Sequence, residues 1–152
     1  MTARIPFADI PHTLMSAMMV VEKTVNDAGF DTRLLELMRF RVAQLNNCAY
    51  CIDMHYKEAI AAGEQALRLY SVSAWSLTPF YDERERAVLA WAEAVTLISE
   101  DKISDQLVET MFRLFSKEQL ANLTLAIAQI NSWTRLAKSF GFEPGRYQPG
   151  KH

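Results

Sequence analysis

The sequence predicts an all-α protein, a single-domain helical bundle that takes up residues 1–152. Apolar residues recur three or four positions apart through most of the chain, which is the spacing of amphipathic helices. No segment shows the sustained alternation of apolar and polar residues that a half-buried strand needs. The hydrophobic share of 50% in 152 residues is sufficient for one buried core without structural disulfides.

Helix boundaries in the first half of the chain are marked by breakers and capping residues. Pro6 and Pro11 discourage a helix in the first ten residues. Beyond them the pattern predicts three helices, over residues 12–28, 32–45 and 48–62. Asp31 or Thr32 is expected to cap the second of these helices, and Asn47 the third.

The second half of the chain alternates capping residues with apolar stripes. Asp82 with Glu85 matches a capping box, and so does Ser116 with Gln119, while Ser104 is a further N-cap. The predicted segments are a short helix over 64–70, a loop or broken helix over 71–80, helices over 82–98, 104–115 and 116–140, and a tail over 141–152 that is either loose or docked on a partner subunit.

Net charge and hydropathy limit the expected binding partners and the expected cellular location. The net charge is −2, so no strong field favours nucleic acid or an anionic membrane, and neither is expected as a partner. The sequence has no run of about 18 apolar residues, and its N-terminus lacks the charged-then-apolar order of a signal peptide. A cytoplasmic location is therefore expected. In a reducing compartment, two cysteines at close spacing favour catalysis, redox chemistry or metal binding over a permanent structural bridge.

Residues 47–55 contain both cysteines and one of the three histidines. On a helix, Cys51 lies roughly 60° and His55 roughly 20° around the axis from Cys48, so two thiols and an imidazole share one face. The N-terminus of a helix favours the reactive thiolate, and either sulfur can resolve a sulfenic acid or mixed disulfide formed on the other. His55 adds a base that can relay the proton, and Glu36 could orient its ring if the two side chains pack together.

Other interpretations of these residues remain open. The two cysteines, His55 and a carboxylate such as Glu36 could form a tetrahedral zinc site, although structural zinc sites usually draw ligands from two separate knuckles. The cysteines could also be buried and unreactive beside a core histidine. Taken alone, Glu36 is an ordinary solvated carboxylate, because it lies off the apolar stripe of its helix, as do Arg39 and Arg41. A thioredoxin fold is excluded, since it needs a βαβ pattern that the chain lacks.

Glu36, the motif Cys48-Ala-Tyr-Cys51 about a dozen residues later, and His55 one turn beyond it resemble the alkyl hydroperoxide reductase D (AhpD-like) family of the carboxymuconolactone decarboxylase superfamily. The flanking segments are similar to that family as well: Leu34–Val42, Thr78-Pro-Phe and Glu83-Arg-Glu-Arg-Ala. The resemblance is strongest over residues 30–100 and looser over the remaining helices.

The resemblance implies an all-helical subunit that forms homo-oligomers and reduces organic hydroperoxides or disulfides in antioxidant defence. Cys51 would attack and Cys48 would resolve, with His55 and Glu36 as the proton relay. No bound cofactor or metal is implied, because electrons would come from an external dithiol such as dihydrolipoamide on a lipoyl-bearing partner, and a peroxiredoxin could be served. Helix position alone favours Cys48 as the nucleophile. The alternatives are a lactone decarboxylase that works without paired thiols, and a non-enzymatic metal-binding or interaction protein.

Tyr50 is the departure from this family pattern. Antioxidant members have a histidine between the two cysteines, where this chain has a phenol. A phenol, with an ordinary pKa of about 10, can donate a hydrogen bond but is a poor proton shuttle at neutral pH. Tyr50 is therefore a candidate accessory residue or simply a packing residue.

Overall fold

The structure is a computed structural model that describes residues 3–150. The last two residues of the predicted tail lie outside this range. The described residues contain no β-strand, so the all-α prediction is confirmed. The helices are α1 (His12–Asn26), α2 (Thr32–Leu45), α3 (Ala49–Ala61), α4 (Ala66–Ser71), α5 (Glu83–Thr96), α6 (Asp105–Leu114) and α7 (Lys117–Phe140), with short 3-10 helices at Phe7–Asp9, Val72–Leu77 and Ile98–Glu100. Within residues 3–150, none of these helices has the combined length and apolar character of a bilayer span.

The predicted caps form in the second half of the bundle. Asp82 accepts a hydrogen bond from the Glu85 N–H at 2.9 Å, and the Glu85 carboxylate accepts from the Asp82 N–H at 2.8 Å. Ser116 and Gln119 make the same reciprocal pair at 3.1 and 3.0 Å, and Ser104 caps α6. These bonds satisfy N–H groups that the first turn of a helix leaves unpaired, so they set the start of α5, α6 and α7.

The central helix of the bundle is α2, which contacts α3, α5 and α7. Its residue Met38 belongs to the main core with α1, α5, α6 and α7, whereas Phe40 belongs to a second cluster shared with α3, α4 and α5. Glu36 and Arg39 are buried on the same helix. A helix that is covered on most sides has no solvent face for its polar residues. Glu36 and Arg39 must therefore find polar partners inside the protein.

The link between α2 and α3 differs from the prediction. Cys48, not Asn47, is the N-cap of α3, and its Sγ accepts the Cys51 N–H at 3.4 Å. Asn47 has a φ of 50°, a left-handed conformation that asparagine tolerates well. The Cys48 N–H bonds back to the Ala43 carbonyl at 3.0 Å, so the turn is tight. Asn47 is part of this turn, so it cannot adopt the extended conformation that an N-cap needs.

The C-terminal segment, residues 141–150, docks on its own chain. Gly141 ends α7 with a φ of 77°, a conformation that favours glycine and turns the chain back. The Gly145 N–H donates to Asp53 Oδ2 at 2.9 Å, and Lys57 donates to the carbonyls of Gly145 at 3.3 Å and Tyr147 at 3.1 Å. For the described residues, the prediction of a loose tail is wrong, and docking on a partner subunit stays a prediction. Its glycines and prolines indicate irregular backbone, but they contain no information about the polar groups of α3 that hold it.

Candidate redox site

Cys48 and Cys51 form a disulfide at the start of α3, with their Cα atoms 5.3 Å apart. Only 1% of Cys48 and 3% of Cys51 is exposed, and both pack against Ala43 of α2 and Ala137 of α7. The Cys51 N–H points at Cys48 Sγ, so a thiolate released on Cys48 would be stabilised there. Among residues 3–150, no group of three or more His, Cys, Asp or Glu side chains has an arrangement that could hold a metal ion.

Glu36 of α2 and His55 of α3 face each other, with Oε2 2.8 Å from Nδ1. Each residue is 5% exposed, so Glu36 is not the solvated surface carboxylate of the alternative interpretation. When Nδ1 donates to this carboxylate, Nε2 is the ring nitrogen left to exchange a proton with a sulfur. His55 follows Cys51 by one helical turn, and residues at this spacing are neighbours on a helix surface. The structure thus pairs Glu36 with His55 one helical turn after Cys51.

The charge on Glu36 is determined by its neighbours. Burial raises the pKa of Glu36, but the adjacent His55 and the Arg39 guanidinium together lower it by more, so the pKa lies below the ordinary value of 4.5. Arg39 Nη1 donates to Glu36 Oε1 at 2.7 Å, while the other oxygen faces His55. Glu36 is consequently ionised at neutral pH, and each of its oxygens has its own partner.

Arg39 is a site residue that the sequence pattern does not single out. It lies off the apolar stripe of α2, yet only 4% of it is exposed. Its spacing of three residues from Glu36 puts the two on one helix face, and that spacing is the signal that could have indicated the contact. At the other end of the guanidinium, Nη2 lies 2.7 Å from Asn26 Oδ1 and 3.3 Å from Glu22 Oε1, both on α1.

Tyr50 and the C-terminal segment cover the disulfide. The Tyr50 ring meets Phe142 edge-on with centroids 5.4 Å apart, and Phe142 stacks on Phe7 at 4.6 Å. Phe142 also packs against the cluster that contains both cysteines. Burial, and then the charge of Asp53, raise the pKa of Tyr50, so it is a neutral phenol at physiological pH. This side chain can donate a hydrogen bond in the site, but it does not accept protons there.

Phe142→Ala is expected to speed reduction of the disulfide several-fold, because the substitution removes the ring that covers the sulfurs. The rate is measured as thiol release from oxidised protein under excess dithiothreitol. Phe112→Ala, on the exposed side of α6, is the matched control and should reduce at the wild-type rate. Equal rates in the two variants would show that Phe142 does not limit access.

Known proteins are similar to this chain in sequence and in fold. The carboxymuconolactone decarboxylase family matches residues 11–94, more than half of the chain. The uncharacterized protein YdfG of Bacillus subtilis (strain 168) is 36% identical over 141 residues, covering 93% of this chain and 96% of YdfG. A crystal structure of a protein of unknown function from Agrobacterium tumefaciens, described as a candidate antioxidant defence protein AhpD, matches with a TM-score of 0.90 and 35% identity over 96% of this chain and 100% of its own.

A more distant structure supports the fold alone. It is an uncharacterized peroxidase-related protein from Ralstonia eutropha JMP134 with an alkylhydroperoxidase AhpD core, and it matches with a TM-score of 0.77 and 20% identity over 88% of this chain and 72% of its own.

The family match spans α1 to most of α5 and includes both cysteines, Glu36 and His55. The chain therefore belongs to the carboxymuconolactone decarboxylase family, in its AhpD-like branch.

Proposed function

We propose that this protein is a thiol-dependent peroxidase that reduces organic hydroperoxides, or disulfides, with the Cys48 and Cys51 pair. The observation that supports this most directly is the 2.8 Å contact between His55 and Glu36 on the helix face of the disulfide. A purely structural disulfide has no need of a buried base with its own carboxylate, whereas a thiol that must become a thiolate does. Similarity to a candidate antioxidant defence protein supports the same role.

The oxidative half-reaction starts from the reduced protein. His55 Nε2 takes the proton of the Cys51 thiol, and Glu36 balances the charge of the imidazolium. The Cys51 thiolate attacks one peroxide oxygen, the O–O bond breaks, and the leaving alkoxide takes the proton from His55 and departs as an alcohol. Cys48 then attacks the sulfenic sulfur of Cys51, so that a disulfide forms and the hydroxyl leaves as water with the Cys48 proton. Two cysteines lose two electrons, and the peroxide gains them.

An external dithiol restores the thiols. Its thiolate attacks Cys51 Sγ, Cys48 leaves as a thiolate, and the second thiol of the donor then resolves the mixed disulfide. Cys48 suits the part of leaving group because the Cys51 N–H points at its sulfur. We expect the donor to be dihydrolipoamide on a lipoyl-bearing partner. That donor, a peroxiredoxin partner, the homo-oligomer and the cytoplasmic location stay predictions.

Mass spectrometry of the reduced protein tests the oxidative half-reaction. One equivalent of an organic hydroperoxide should remove two hydrogen atoms and link Cys48 to Cys51. Turnover with dihydrolipoamide, glutathione and thioredoxin as separate reductants then identifies the donor class. Persistence of two free thiols after peroxide would contradict the proposal. Turnover of a carboxymuconolactone by the Cys48→Ser, Cys51→Ser double variant would favour the decarboxylase alternative.

A further inference from the structure

The buried polar cluster beside the disulfide extends beyond Glu36 and His55. Arg39 lies between two carboxylates, with Nη1 on Glu36 and Nη2 on Glu22 and Asn26 of α1. Glu22 is held in turn from α7, where Gln129 donates to its Oε2 and Trp133 Nε1 donates to the same oxygen at 3.2 Å. The cluster therefore connects α1, α2, α3 and α7 through one guanidinium.

The guanidinium is aimed at the two carboxylates at a cost to its own hydrogen bonding. Arg39 Nε is buried and has no hydrogen-bond partner among the residues that the structure describes. An unpaired buried donor is unfavourable, so the orientation must be imposed by the contacts at the two ends of the guanidinium. A lysine has one ammonium and could not span both carboxylates in this way.

The formal charge of this cluster changes when His55 gains a proton. Glu22 and Glu36 contribute two negative charges and Arg39 one positive charge, so the sum is −1 when His55 is neutral. When His55 accepts a proton, the sum becomes zero. The site can thus take up the thiol proton without accumulating positive charge in a buried region, where an unpaired charge is costly.

We propose that Arg39 is a positioning residue that Glu36 and Glu22 share, and that its charge, shared in this way, sets the pH at which the site thiol loses its proton. The inference rests on the proposed function. Tyr147 of the C-terminal segment is close enough to Glu36 to feel its charge, and α7 contacts Glu22 through the uncharged Gln129 and Trp133. Burial, then the hydrogen bond to Glu58, then the charges of Glu58, Tyr50 and Glu36 raise the pKa of Tyr147, so this phenol stays neutral.

The charge balance predicts that removing Arg39 and removing the charge of Glu22 shift the midpoint pH of thiol deprotonation in opposite directions. Arg39→Met leaves two carboxylates without their cation, so the site holds protons more tightly. The midpoint pH of thiol deprotonation should therefore rise by about one unit. Glu22→Gln leaves Arg39 to Glu36 alone, so the same midpoint should move downward by a smaller amount. Arg39→Lys keeps the charge, but its single ammonium cannot reach both carboxylates, so its midpoint should lie between those of the wild type and Arg39→Met.

Alkylation of the reduced, folded protein by iodoacetamide over a pH series measures this midpoint without any peroxide. Arg41→Met is the matched control, because Arg41 lies on the same helix but pairs with Glu93 of α5 at 2.7 Å, and its profile should follow the wild type. If Arg39→Met and Arg41→Met give the same midpoint, or if Arg39→Met and Glu22→Gln move it in the same direction, the inference is wrong.

Two other variants and the wild-type activity provide independent tests of the inference. If Arg39→Met does not fold, Glu22→Gln and Arg39→Lys still test the inference, and an unshifted Glu22→Gln profile would overturn it. The proposed function can fail separately, because absence of peroxide turnover by the wild type leaves the alkylation profiles readable. A merely structural Arg39 would lower stability in every variant and would leave the midpoint where it is.

Discussion

Cys51→Ser is expected to abolish peroxide turnover, with a loss on the order of a thousandfold or more, because a serine hydroxyl does not supply the thiolate that attacks the peroxide. The measurement is peroxide consumption coupled to oxidation of dihydrolipoamide. Loss of the disulfide also removes a cross-link between residues only three positions apart, which closes a very short loop and should change stability little. A near-native free energy of unfolding would therefore accompany the loss of activity.

Cys48→Ser is the matched control, since it removes the other sulfur of the same pair. This variant should still reduce one equivalent of hydroperoxide and then stop at a sulfenic acid on Cys51, because the resolving thiol is gone. Trapping of the sulfenic acid with a dimedone probe, followed by peptide mapping, locates it. A trapped sulfenic acid on Cys48 in the Cys51→Ser variant would reverse the two assignments.

Glu36→Gln is expected to lower peroxide turnover roughly a hundredfold and to cost about 3–5 kcal/mol of unfolding free energy at neutral pH. The activity falls because His55 loses the carboxylate that balances its charge, and the stability falls because Arg39 keeps a buried positive charge with one carboxylate fewer. Urea denaturation and steady-state turnover measure the two effects separately.

The stability that the ionised Glu36 contributes depends on pH. The folded protein lowers the pKa of Glu36, so the ionised carboxylate contributes stability above its ordinary value of 4.5, and this contribution is lost as the pH falls below that value. The gap in stability between wild type and Glu36→Gln should therefore shrink on acidification. Glu93→Gln, which breaks the partly buried pair with Arg41, is the control and should leave turnover unchanged. Wild-type turnover in Glu36→Gln would remove Glu36 from the mechanism.

Periodicity and capping were sufficient to predict the helices. Asp82, Ser104 and Ser116 begin α5, α6 and α7 because a capping side chain acts on N–H groups two or three residues away, and such a local contact depends on neighbouring sequence alone. Asn47 shows the limit of this reasoning. Its preference for an N-cap was overridden by the Cys48 to Ala43 bond, which closes the turn between two helices.

By itself, the sequence determined the all-α class, the caps of α5, α6 and α7, and the shared helix face of Cys48, Cys51 and His55, because residues spaced three, four or seven apart lie on one face of any helix. Only the tertiary structure decided which side chains from other helices reach this face. Glu36 and Arg39 were indistinguishable from surface charges until α2 was buried among its neighbours, and Phe142 covers the disulfide only because the chain reverses at Gly141. Contacts between residues distant in the chain depend on how whole helices pack, and one-dimensional spacing does not record that packing.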